Sequence, residues 1–147
     1  MTIRPARAGE EAELTELAIR SKGHWGHDAA FLERARPELT VHPDQLERWI
    51  VRVAERHGAV VGFAAVDPEA RELEMLFVDP PAIGTGVGRA LLLDALDRAR
   101  KAGLGALTIE SDPDAEPFYL AAGAARIGTR VSPATGRELP LLRIATG

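Results

Sequence analysis

The sequence predicts a mixed α+β fold: a central, mostly antiparallel twisted sheet of about seven strands, flanked by about four helices. Three observations predict it. Apolar residues recur at helical spacing near the N-terminus and again from Val87 to Ala102. Short apolar or alternating runs bounded by turn residues fill the middle. A strand–helix–strand succession after residue 72 requires a crossover inside an otherwise antiparallel sheet.

The elements follow in order. Thr2–Arg4 is a short strand closed by Pro5. Gly9–Lys22 carries an acidic first turn (Glu10, Glu11, Glu13) and apolar Leu14, Leu17 and Ala18, and Gly23 marks its end. Asp28–Arg36 reads as a second helix, with Phe31, Leu32 and Ala35 on one side, stopped by Pro37. Asp44 is placed to cap a further helical turn through Trp49. Ile50–Arg56 and Ala59–Val66 form a hairpin around His57-Gly58, and Glu72–Val78 follows as a third strand after the turn at residues 67–70. Glu72 and Glu74 are expected on one face of that strand with Leu76 and Val78, and Leu73, Met75 and Phe77 on the other. Val87–Ala102 is the clearest helix. Asp94, Asp97, Arg98 and Lys101 make a polar stripe opposite Ala90, Leu91, Ala95, Leu96 and Ala99, and Gly103 ends it. Ala106–Glu110 is a strand and Ala115–Ala122 a short helix. Ala125–Val131 and Leu139–Ile144 are two final strands around the turn Ser132–Gly136.

Composition narrows the function. The 147 residues are expected to form one domain, and 46% hydrophobic with 27% charged residues is ordinary for a globular chain. Net charge −4 argues against a nucleic-acid partner. No apolar run approaches the ~18 residues of a membrane span, and the first residues lack a signal-peptide core, so a cytoplasmic protein is expected. The absence of cysteine excludes disulfides, zinc–thiolate sites, thiol redox chemistry and a covalent Cys nucleophile.

The most informative stretch is Val78-Asp79-Pro80-Pro81-Ala82-Ile83-Gly84-Thr85-Gly86-Val87-Gly88-Arg89. A strand ends and glycines at alternate positions lead into a long helix. Such glycines expose several N–H donors, and the helix start adds unpaired donors and a partial positive charge. Together these suit a phosphate group, and Arg89 can add a charge-assisted contact. A plain Gly-rich turn is the simple alternative. No Lys follows the glycines, which argues against a P-loop. The glycine spacing falls one residue short of a dinucleotide fingerprint, although Glu110 at the end of the next strand keeps a small dinucleotide-binding domain in play.

This stretch resembles the GNAT N-acetyltransferase pattern Q/R-x-x-G-x-G/A. A second element agrees: Asp112-Pro113-Asp114-Ala115-Glu116-Pro117-Phe118-Tyr119, followed by Gly123, is similar to the family's Asn-x-x-Ala and aromatic–Tyr segment. Ser21–Gly26 looks like a further motif of some members. The resemblance implies acetyl-CoA as cofactor, with CoA as product, and a primary amine of a small molecule or protein as acceptor. It implies that the backbone of Leu76, Phe77 and Val78 pairs with the pantetheine arm. The segment Ile83, Gly84, Thr85, Gly86, Val87, Gly88 and Arg89 then holds the pyrophosphate, with Asp112 and Phe118 alongside. Three positions depart from the pattern: Ile83 stands where Gln or Arg is usual, Thr85 where a basic residue is common, and Asp112 where Asn is.

Direct transfer needs a neutral amine, a polarised thioester and a proton donor for the thiolate. Tyr119, the only tyrosine, is the general acid by resemblance, against a core aromatic otherwise. Glu74 is the first candidate for the base, by resemblance, against a solvated sheet face, and His24 is a second. Trp25, between glycines, and His24 are the candidate acceptor-pocket residues; Phe31 and Trp49 read equally as helix-to-sheet packing. His24 and His27 form H-x-x-H with no further ligand cluster, so no metal is expected. A non-catalytic acyl-CoA sensor is the other reading of the same motifs. A homodimer is a further expectation, with Leu139–Leu142 at its interface.

Overall fold

The computed structural model describes residues 1–147. Its elements are β1 (Thr2–Pro5), α1 (Glu11–Gly23), α2 (Ala29–Leu39), α3 (Pro43–Arg48), β2 (Ile50–Arg56), β3 (Ala59–Asp67), β4 (Glu72–Val78), α4 (Val87–Lys101), β5 (Ala106–Glu110), α5 (Glu116–Ala121), β6 (Ala125–Val131) and β7 (Glu138–Ala145), with a 3₁₀ turn at Pro80–Ala82. Seven strands form one sheet in the order β1-β2-β3-β4-β5-β7-β6. All neighbours are antiparallel except β4 and β5. This is the expected mixed sheet, and it is not the parallel doubly wound sheet of a dinucleotide-binding domain.

The fold agrees with the expected architecture, with five α-helices because the turn expected after Asp44 is the short helix Pro43–Arg48. Two helix ends differ from expectation. The start of α3 is set at His42 rather than Asp44: the His42 N–H donates to Gln45 Oε1 at 2.9 Å. Pro37 does not stop α2, which runs on to Leu39. Leu39 is buried in the core, and the Thr40 hydroxyl donates to the Arg36 carbonyl at 2.7 Å. Burial of one leucine and a capped carbonyl offset the donor that proline lacks.

The sheet has a core on each face. On one, α4 sets Leu91, Leu92, Ala95 and Leu96 against Ala64, Val66, Leu73, Leu107 and Leu142. On the other, α1 and α2 set Leu14, Leu17, Ala18, Ala35 and Leu39 against Val51, Val53, Phe63, Ala65 and Met75. These lists overturn the simple alternation expected for β4. Leu73 packs with Leu76 and Val78 under α4, whereas Met75 and Phe77 lie under α1 and α2. The ladder gives the reason. Ala65 faces Met75 and Val66 faces Leu73, so Glu74 is an extra residue with no partner. It is a β-bulge, which resets the pleat and re-aims the side chain at that point.

The polar stripe of α4 is also divided. Asp97 pairs with Arg100 and Lys101 at the surface, but Asp94 pairs at 2.8 Å with Arg52 of β2, a side chain only 8% exposed. The Leu139–Leu142 segment expected at an interface lies in an inner strand, with β6 as the outer edge. Leu139 and Leu142 are buried within the chain.

Candidate active site

The site begins where β4 and β5 part. Their parallel ladder holds one residue pair, Glu72 opposite Thr108, anchored by the Thr108 N–H to the Arg71 carbonyl at 3.0 Å. Beyond it the strands diverge, so Leu76–Val78 pair with β3 on one side and with no strand on the other. A groove of about 420 Å³ opens there, lined by Leu73–Phe77 from β4, Ile109–Asp112 at the end of β5, and Tyr119 of α5.

The glycine segment stands at the end of β4. The 3₁₀ turn leads into Gly84 and Gly86, both in the left-handed region at φ 82° and 89°, and Gly86 is the N-cap of α4. Other residues adopt that backbone only with strain. The N–H groups of Gly84, Gly86, Val87, Gly88 and Arg89 find no acceptor in the chain. A Cβ built on Gly84 or Gly86 meets nothing within 4 Å, so no side chain plugs the turn. Val87 is buried in the core and offers only its backbone; Ile83 is half-buried and Arg89 exposed. Thr85 donates to the Ala82 carbonyl at 2.5 Å and accepts from Arg56 Nη1 at 3.2 Å. Arg56, from β2, is therefore a second cation at this segment. Sequence reasoning missed it because 29 residues separate it from Thr85.

The glycine segment lies outside the groove itself, and Phe118 bridges the two. Its ring is 3.7 Å from the position of a Cβ on Gly88 and sits edge-on to Tyr119, centroids 5.2 Å apart. Tyr119 is 6% exposed and lines the groove. Burial raises its phenol above the ordinary value, so it holds its proton.

Glu74, the bulge residue, is reached by solvent through the open groove. Desolvation against the groove wall, then the charge and hydrogen bond of Glu72, push its carboxyl up to about 7. Glu110, also lining the groove, is raised chiefly by burial. Arg130 of β6 reaches both neighbours, 2.8 Å from Glu72 and 3.5 Å from Glu110.

Asp112 lines the groove at the end of β5, but its carboxylate is already engaged. It forms a short ion pair with Lys22 and accepts the Asp114 N–H at 3.0 Å, with Arg137 at 3.8 Å. Burial opposes its ionisation, and the Lys22 contact outweighs this and holds it below its usual range. His27, Asp112 and Asp114 cluster closely enough to hold an ion, yet the Lys22 ammonium already occupies the cationic position on Asp112. His27 stacks on Phe31 at 4.1 Å, and desolvation followed by Lys22 lowers its pKa. Trp25 is 48% exposed and lines the groove. His24 is exposed, edge-on to Trp25 at 5.2 Å, and lies off the groove lining. Trp49 lines the groove as well as packing on the α1–α2 core.

Comparison with known proteins agrees with this geometry. The acetyltransferase (GNAT) domain family matches residues 25–134. The chain belongs to the GNAT acetyltransferase family. An IAA acetyltransferase from Azospirillum brasilense is 46% identical over 63 residues, 40% of this chain and 41% of that protein. The matched stretch thus spans under half of that relative's length. A GCN5-related N-acetyltransferase from Rhodopseudomonas palustris superposes with TM-score 0.80 at 21% identity, covering 98% of this chain and 94% of that one. A PaiA N-acetyltransferase from Thermoplasma acidophilum, in complex with coenzyme A, gives 0.74 at 18% identity, covering 98% of each chain. A ribosomal-protein-alanine N-acetyltransferase from Brucella melitensis gives 0.71 at 24%, covering 99% of each. These structures share the fold. No helix here is long and apolar enough to cross a membrane.

Proposed function

We propose that residues 1–147 act as one catalytic unit that moves an acetyl group from acetyl-CoA to a primary amine, of a small molecule or a protein, in the cytoplasm. The observation that carries this reading is the parting of β4 from β5 between an amide-rich turn and a buried tyrosine. The residues present fit the cofactor. Free N–H groups at the start of α4, with Arg56 and Arg89 nearby, suit a pyrophosphate. The unpaired edge of Leu76–Val78 suits an extended chain of amides, which adds to it as a strand would.

Acetyl-CoA supplies the activated acetyl group. Tyr119 keeps its phenolic proton at neutral pH and delivers it to the departing sulfur. Glu74 would take the proton of the acceptor ammonium, freeing the nitrogen lone pair for the acetyl carbon, and the second nitrogen proton, lost as the amide forms, would restore the Tyr119 phenol. Phe118 holds the wall between phosphate and phenol, and Trp25 shields the acceptor side. Asp112, locked to Lys22, fixes the turn before α5 instead of contacting the cofactor. His24, off the groove, has no part in proton transfer. In a homodimer the free sheet edges are β1 and β6, not β7.

Calorimetric titration with acetyl-CoA, together with thiol release over a panel of amines, tests the proposal. Tyr119→Phe is expected to lower kcat about 10²-fold with acetyl-CoA affinity unchanged. Binding with no transfer to any amine would leave an acyl-CoA sensor instead. Absence of binding would remove both readings.

A further inference from the structure

Two strands bring carboxyl groups together in the acceptor half of the groove, Glu72 and Glu74 from β4 and Glu110 from β5, and a third, β6, sets Arg130 among them. Arg130 faces Leu139 of β7 in the ladder, so its side chain passes over β7 to reach Glu110 and over both β7 and β5 to reach Glu72. We propose that Arg130 is a positioning residue: its guanidinium holds the Glu72 and Glu110 carboxyls in place, leaving Glu74 as the carboxyl of the cluster with no ion-pair partner and available to exchange a proton with the acceptor. The inference rests on the acetyl-transfer reading above.

The geometry supports it in three ways. First, a single Nη1 serves both neighbours, at 2.8 Å to Glu72 Oε1 and 3.5 Å to Glu110 Oε2. Glu74 makes no ion pair of its own. Second, Arg130 is 40% exposed. A pair that open contributes little to folding, so its placement matters for the groove rather than for the core. Third, Glu74 is the extra residue of the bulge, two positions along the strand from Glu72, and both line the groove. One oxygen of Glu72 is held by Arg130, and the charge of Glu72 acts on Glu74. Two carboxyls so placed cannot both ionise easily unless a cation compensates.

The groups that act on Glu74 are Glu72 of its own strand, Asp67 of β3 and Arg130 of β6. Glu110 of β5, Glu38 of α2, His42 before α3, and Lys22, Asp112 and Asp114 also line the groove. Lys22 is paired with Asp112, which leaves Arg130 as the cation on the glutamate cluster.

The experiment is a pH profile of kcat/KM for wild type, Arg130→Gln, Arg130→Lys and Glu110→Gln. A carboxyl ¹³C NMR titration of the same proteins runs beside it, with Glu74 assigned by its loss in Glu74→Gln. Arg130→Gln is expected to move both the acidic limb and the Glu74 titration up by about one pH unit. Arg130→Lys should recover at least half of that shift. Glu110→Gln, which frees Arg130 for Glu72 and removes a negative charge, should move both downward. KM for acetyl-CoA should stay constant throughout. An unmoved Glu74 titration in Arg130→Gln, or a uniform loss of rate at every pH, overturns the proposal. If the NMR shifts appear but the acidic limb does not follow Glu74, the electrostatic role stands and the assignment of Glu74 as base is what fails.

Discussion

Glu74 shows how one residue's place in the backbone sets its chemistry. As the extra residue of a β-bulge it leaves the regular pleat of β4 and lines, with Glu72 of the same strand, a groove that only partly hydrates it. Its carboxyl titrates near 7 rather than in the ordinary carboxylate range. The sign follows from the proposed role: a carboxylate base must be ionised, so activity is expected above about 7 and falls as the pH drops through that value. We expect kcat/KM to decline about tenfold per pH unit on the acid side. In Glu74→Gln the limb should vanish and the plateau fall about 10²-fold; a steady-state pH series measures both. Tyr119 is tuned the opposite way. Burial holds its proton on, so the two groups suit the distinct acid and base roles proposed for them at neutral pH.

At the scale of elements, the glycine turn depends on how α4 seats against β3. Gly62 of β3 marks the contact: a Cβ there would lie 2.9 Å from Leu91 Cδ1, 2.9 Å from the Phe77 carbonyl oxygen and 3.2 Å from Val87 Cγ1. Val87 opens the helix whose first N–H groups face the proposed phosphate. Gly62→Ala is therefore expected to cost about 1–3 kcal/mol and to weaken acetyl-CoA binding, as read by urea unfolding and calorimetry. The Arg52–Asp94 pair fixes the same helix from β2. Asp94→Ala leaves a nearly buried guanidinium without its partner and should cost about 3 kcal/mol in the same unfolding measurement.

Across the whole molecule, charge is unevenly placed. The groove is lined by Glu38, Glu72, Glu74, Glu110, Asp112 and Asp114 against only Lys22 and Arg130 among the lysines and arginines, whereas Arg56 and Arg89 stand at the glycine turn. The acceptor half therefore favours a cation and the cofactor half an anion. Raising salt from about 0.05 M to 0.5 M should raise KM for an aliphatic diamine about threefold or more, with kcat changed less than twofold. A zwitterionic amino acid should show a smaller rise in the same assay.

The amino-acid sequence determined the strands, the long helix and the glycine-to-helix turn, because each rests on a local signal: periodicity, a glycine at positive φ, a capping residue. Tyr119 was legible for the same reason, standing alone in a short motif. Tertiary structure decided what depends on neighbours far along the chain. The bulge that reverses the faces of β4 arises only when β3 is laid beside it, since no pattern within Glu72–Val78 marks the extra residue. Arg56 at Thr85, Lys22 on Asp112 and Arg130 between two glutamates are contacts made across 29, 90 and at least 20 residues of chain. Local propensity holds no information about such pairs. The packing of the sheet creates them, and with them the charges that set how the candidate base titrates.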